Sequence, residues 1–187
     1  MTFSPLINFI TMKKILILLF SLYSCLSFAV KTEDMYLMRN IELGNLFFIF
    51  ENSFQSVDNK NPLLFDMTHL SSCDTVSIKM TLTNKTLVDV DSVKLSWNEG
   101  SYTVINPILI YKEKDNKCWV NRCDCIFPYI FVEQAFTHQQ CPTFTIYTTA
   151  NTISYSLSQN KCDKLKLHFQ EIFITIQSHK RLISKRN

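Results

Sequence analysis

The chain has 187 residues, of which 47% are apolar and 13% aromatic, enough to bury one core and too many for an intrinsically disordered protein. Its formal net charge of +3 approaches balance once Lys13 and Lys14 near the N-terminus are set aside, so composition carries no general nucleic-acid footprint. Glycine occurs only twice, at Gly44 and Gly100, which excludes the glycine-rich loops that cradle phosphates and the glycine-flanked serine turn of α/β-hydrolases.

From Met12 the chain has the layout of an export signal. Lys13 and Lys14 form a basic start, Ile15 to Leu22 is apolar apart from Ser21, and Ser27-Phe28-Ala29 offers a cleavage site before Val30. A competing cut lies at Leu22-Tyr23-Ser24-Cys25, which resembles a lipobox with Cys25 as the lipidated residue; Tyr23 departs from that pattern. The expected organisation is residues 1–29 as upstream extension and signal, 30–178 as one β-rich domain, and 179–187 as a basic tail. The expected location is secreted or periplasmic, with a lipid anchor at Cys25 as the alternative. The Lys/Asn/Ile-rich composition fits a bacterial or viral AT-rich genome.

Beyond the signal, Thr32 is placed to cap a short helix that Gly44 would end. Residues 46–50, L-F-F-I-F, read as a strand buried on both faces. Val76, Ile78, Met80 and Leu82 alternate with polar residues, as in a half-buried strand, and Asn84-Lys85 closes it with a turn. Val88 and Val90 open the next strand, and Val93, Leu95 and Trp97 extend it to an Asn98–Ser101 hairpin loop. Strands at 102–105 and 108–111 are separated by Asn106-Pro107. Phe144 and Ile146, then Ile153, Tyr155 and Leu157, repeat the pattern across a turn at Ala150-Asn151. Leu165, Leu167 and Phe169 alternate again and slip by one residue before Ile172, Ile174 and Ile176, which reads as a strand with a β-bulge. These short strands predict an all-β, disulfide-stapled β-sandwich, Ig-like or jelly-roll-like, with a small barrel as second choice.

The run C-W-V-N-R-C-D-C, residues 118–125, raises the question of chemistry. Cys73, Cys118, Cys123, Cys125, Cys141 and Cys162 form an even set in an exported chain, the arithmetic of disulfides. The expected pairs are Cys73–Cys162, Cys118–Cys123 and Cys125–Cys141, since Cys123 and Cys125 would close a strained ring. The rival is zinc on Cys123, Cys125, His138 and Cys141, or a thiol-dependent enzyme on the same cluster. The expected state has no cofactor and no catalytic residue. Trp119, Phe127, Tyr129, Phe131 and Phe136 crowd a loop that the bridges would present as a binding surface. Asn84-Lys85-Thr86 is a glycosylation sequon, relevant only in a viral or eukaryotic chain. Lys180, Arg181, Lys185 and Arg186 supply the basic tail for a weak anionic-surface contact. The expected function is an exported non-catalytic binding protein, a host- or envelope-interaction factor with a protein or glycan partner. A viral immunomodulatory decoy is the alternative.

Overall fold

The computed structural model describes residues 35–56, 61–138 and 140–184. The expected signal and cleavage site, Cys25, Lys185 and Arg186 therefore lie outside the described residues. Thr32–Asn187 forms one compact unit. Its strands are β1 (Tyr36–Ile41), β2 (Gly44–Ser56), β3 (Leu63–Leu70), β4 (Thr75–Asn84), β5 (Val90–Trp97), β6 (Gly100–Ile105), β7 (Ile108–Asp115), β8 (Cys118–Pro128), β9 (Thr143–Thr148) and β10 (Thr152–Ser156). Its helices are α1 (Tyr129–Thr137) and α2 (Gln159–Ser184).

All ten strands join one antiparallel sheet, ordered β6-β5-β9-β10-β2-β3-β4-β8-β7, with β1 paired to the first half of β2. The sheet curls into a half-barrel, so the all-β, disulfide-stapled class holds and a small barrel-like fold describes it. The two ends of the curl approach each other without joining: Tyr102 of β6 meets Phe127 of β8, and Asn121 of β8 donates to the Val88 carbonyl just before β5. Alternation builds the inner face. Phe65, Met67 and His69 of β3, Val76, Ile78 and Met80 of β4, and Val93 and Leu95 of β5 are all buried.

The two helices fill that inner face through an aromatic cluster. Phe136 of α1 stacks on Phe169 of α2 at 4.4 Å and lies 6.0–6.3 Å from Phe54, Phe65 and Phe144 of the sheet. The disulfide Cys141–Cys162 ties the segment after α1 to the first turn of α2, with Cα atoms 5.7 Å apart.

The helical segments overturn three expectations. Residues 164–177 are helix, not a bulged strand: the buried residues are Cys162, Phe169, Ile172, Phe173 and Ile176, a helical stripe, while Leu167 and Ile174 are 56% and 64% exposed. The apparent one-residue slip was the helical period. Helix α2 also carries residues 179–184, so the basic tail is not a separate segment there. Conversely, the expected N-terminal helix is strand β1, because a hairpin through Glu42-Leu43 lets it pair with β2 from Tyr36↔Ile49 to Ile41↔Gly44. Gly44, at φ 130°, supplies the positive φ of that hairpin rather than a helix end. Strand β2 is buried on one face only, with Phe47 and Ile49 inside and Phe50 exposed. Asn106 and Asn116, at φ 51° and 53°, take the left-handed turn positions that glycine commonly fills.

Truncating Phe136 to alanine should cost about 3–5 kcal/mol, because the void faces both a helix and the sheet. Urea unfolding of the oxidised chain measures it. Replacing both Cys141 and Cys162 with serine should cost about 3 kcal/mol through the freed loop while leaving the far-ultraviolet circular dichroism unchanged.

Candidate functional site

The cysteine-rich run is strand β8, not a stapled loop. It pairs with β4 from Thr75↔Pro128 to Asn84↔Trp119 and on its other side carries β7, from Ile108↔Asp124 to Asp115↔Cys118. A two-residue alternation therefore sorts its side chains. Asn121, Cys123, Cys125 and Phe127 point inward and are buried; Arg122, Asp124 and Ile126 point outward. On the outer face Arg122 bridges Asp66 and donates to Thr81 at 2.7 Å, and Ser77 donates to Asp124 at 2.6 Å.

The cysteines separate accordingly. Cys123 and Cys125 sit side by side on the inner face, with their sulfurs within hydrogen-bond reach. The Cys125 thiol donates to Cys123, holding Cys123 below the usual thiol range against the opposing effect of burial. The same bond and burial push Cys125 up. Cys73 lies in the β3–β4 turn and Cys118 at the opposite end of the β4–β8 ladder, so the strand length keeps them apart. The expected pairs Cys73–Cys162, Cys118–Cys123 and Cys125–Cys141 are thus replaced by the one bridge Cys141–Cys162, and four cysteines remain thiols. The zinc set fails for the same reason. Cys141 is committed to Cys162, His138 faces Glu99 at 3.2 Å beyond the end of α1, and no cluster of three or more metal-ligating side chains forms among the described residues.

The proposed aromatic surface is mostly core. Phe127, Tyr129 and Phe136 are buried, because β8 alternation turns the first inward and α1 turns the other two. Phe131 is half-buried, stacked on Tyr102 at 5.2 Å and tilted against Trp97 at 5.7 Å; Trp119 is half-buried at the start of β8. Pro128, which fixes an extended φ just ahead of α1, was the missed signal of that helix. Asn84 ends β4 with its Nδ2 buried and unpaired, so the folded sequon does not present the nitrogen a glycan needs. Lys180 folds inward: it lies 4.0 Å over the Tyr129 ring, donates to the Cys73 carbonyl at 3.1 Å and faces Asp74 at 3.8 Å.

What the sequence did not single out is the free edge of the sheet at β7. Ile108, Leu109, Ile110 and Tyr111 are all exposed, Ile108 to 63%, and Ile105 and Ile126 extend the apolar surface on the neighbouring β6 and β8. Between β7, β8 and the entry to β5 lies a cavity of about 60 Å³, lined by Asp89, Val90, Pro107, Leu109, Lys112, Asn121 and Cys123. Lys112 and Asp89 form an ion pair there, and the buried Asn121 Oδ1 has no partner. The signal for the edge was present in the run I-L-I-Y-K-E-K-D, apolar in its first half and charged in its second, but only the sheet order reveals that it lies outermost.

A second polar feature is His69, buried under Tyr129 at 4.7 Å, with Nδ1 2.9 Å from the Thr75 carbonyl and Nε2 unpaired. Burial is the main cause that lowers its pKa to about 4; the Thr75 carbonyl and Asp74 oppose this and Lys180 adds to it. Its neutral form therefore carries the Nδ1 proton toward Thr75.

Comparison with protein-family models, curated proteins and solved structures finds no match to this chain.

Because the unfolded chain protonates His69 near pH 6.5 and the folded chain only near pH 4, its contribution is intact above pH 6.5 and is lost as pH falls through that window. The loss is at most about 3.4 kcal/mol. Urea midpoints at pH 7 and pH 4.5 should differ less in His69→Phe than in the parent chain, since the variant has no group to titrate there.

Proposed function

We infer that this chain is an exported, non-catalytic binding protein that recognises a protein partner through the free edge of β7. The observation that carries the reading is the row of exposed apolar residues from Ile108 to Tyr111, continued by Ile105 and Ile126, along a strand paired on one side only. An unpaired edge offers alternate N–H and C=O groups, and such edges accept an added strand from a partner, with side-chain pockets supplying selectivity. Apolar surface of this extent is unusual unless something covers it. Export is supported by the basic and apolar N-terminal run and by the Cys141–Cys162 bridge, a bond that persists in oxidising compartments. The partner contact has thus moved in this reading from the aromatics of residues 119–136 to the neighbouring strand. Lys180 is held by Asp74, the Cys73 carbonyl and Tyr129, which takes it out of any contact with an anionic surface.

A photo-crosslinking residue placed at Ile110 should capture a protein partner in the producing culture, and Ile108→Lys should reduce that capture at least tenfold. The same residue at Ile174, more exposed than Ile110 but on α2, is the control; equal capture from both positions would overturn the edge assignment. Ile108→Lys should leave the urea midpoint within about 0.5 kcal/mol of the parent, since the side chain packs against nothing that folding requires. N-terminal sequencing of the exported protein tests the signal: a start at Val30 is expected, and retention of residues 1–29 would refute cleavage.

A further inference from the structure

We propose that Cys123 and Cys125 form a redox-active dithiol that reacts with hydrogen peroxide entering through the cavity between β7 and β8. Four features of the molecule converge on it. The two free, buried thiols share the inner face of β8, an arrangement that follows from their i, i+2 spacing in a strand. One of them, Cys123, lines the cavity of about 60 Å³, a volume for a few water-sized groups, far too small for a peptide or a thiol cofactor. Asn121 stands on the same wall, its Nδ2 spent on the Val88 carbonyl at 3.2 Å and its buried Oδ1 awaiting a donor, which a peroxide hydroxyl supplies. Lys112, also on the wall, brings a cation to the mouth beside Asp89.

The roles of the two sulfurs follow from where they sit. Cys123 lines the cavity and is the sulfur that meets the peroxide and ionises; Cys125 lies outside the lining and keeps its proton, in line with the downward shift of Cys123 and the upward shift of Cys125. The Cys123 thiolate attacks one peroxide oxygen, the O–O bond breaks, and the departing hydroxide recovers the proton that Cys123 released. This leaves Cys123 as a sulfenic acid and one water. The Cys125 sulfur then attacks the Cys123 sulfur, and its proton leaves with the sulfenic hydroxyl as a second water. Two thiols lose two electrons to one peroxide, giving a disulfide and two waters.

The product differs in kind from Cys141–Cys162. Alternate Cα atoms of an extended strand lie about 6.6 Å apart, at the outer limit for a disulfide, so closure must pucker β8 at Asp124. Asp124 is paired in the ladder to Lys79 and Ile108 and accepts from Ser77, and those contacts resist the pucker. Such a bridge is readily reduced, the behaviour of a reversible couple rather than a permanent staple.

The test uses the full chain and stoichiometric hydrogen peroxide, followed by alkylation under denaturing conditions and peptide mass mapping. The expected result is joint loss of the Cys123 and Cys125 alkylation sites, with Cys73 and Cys118 still alkylated, and recovery of both sites on adding dithiothreitol. Cys125→Ser should accumulate a sulfenic acid at Cys123 that dimedone traps. Cys123→Ser should lower oxidation at Cys125 at least tenfold. Asn121→Leu, which fills the cavity and removes the acceptor for the peroxide hydroxyl, should slow disulfide formation about tenfold. Oxidation confined to Cys73 and Cys118, or equal rates in the two serine variants, would overturn the proposal; the wild-type mapping decides the first point even if a variant does not fold.

Discussion

The contact on which the rest of this molecule depends is the stack of Phe136 on Phe169, inserted among Phe54, Phe65 and Phe144. A curled sheet of this kind has an inner face that no second sheet covers, and an uncovered apolar face is not stable in water. Helices α1 and α2 supply the missing layer, and the phenyl rings are where the two helices meet each other and the sheet at once. Offset and tilted rings at 4.4–6.3 Å satisfy the aromatic quadrupoles as well as burying area. The disulfide acts on the same junction from outside, by holding the exit of α1 to the start of α2. Without that plug the strands would still be amphipathic, but nothing would decide how far the sheet curls.

Strand β8 is where the remaining consequences gather. It is interior to the sheet on the β4 side and supports the outermost strand on the other. Its outer residues form polar links across the sheet through Arg122 and Asp124, and its inner residues place the Cys123 thiol and an unsatisfied amide against the gap where the barrel fails to close. The gap exists because β6 and β8 approach through the Tyr102 and Phe127 rings rather than through a hydrogen-bonded ladder. An open barrel therefore creates both features of functional interest: an unpaired apolar edge and a small cavity beside it. A closed barrel would have neither.

Much of the strand content was legible because a half-buried strand writes its burial directly into the sequence. Val76, Ile78, Met80 and Leu82, and later Phe144 and Ile146, are inside as their alternation requires. The readings failed where two periods fit one string. Residues 165–176 contain apolar residues at both strand and helix spacings, and β-branched isoleucines tipped the local reading toward strand. The need to cover the inner face overrode that preference. The opposite happened at residues 36–41, where Thr32 and Gly44 resembled the two ends of a helix, but the open edge of β2 offered pairing partners. Reading residues 119–136 as a loop shows the same limit: Phe127, Tyr129 and Phe136 are spaced for a strand that gives way to a helix, and only knowledge of Pro128 as the junction separates the two.

By itself the sequence determined the β-rich class and the positions of most strands and turns. These rest on local periodicity, turn chemistry and composition, which act over a few residues and survive in any fold. Tertiary structure alone decided which cysteines meet, that residues 159–184 are helix, and that β7 lies at the rim. Each of those depends on strand order across the whole sheet. Cys141 reaches Cys162 only after β9, β10 and α2 are placed, and Cys73 and Cys118 are separated only by the length of β4 beside β8. The run C-W-V-N-R-C-D-C specifies an alternating strand, and its place in the sheet determines what the two inward thiols face.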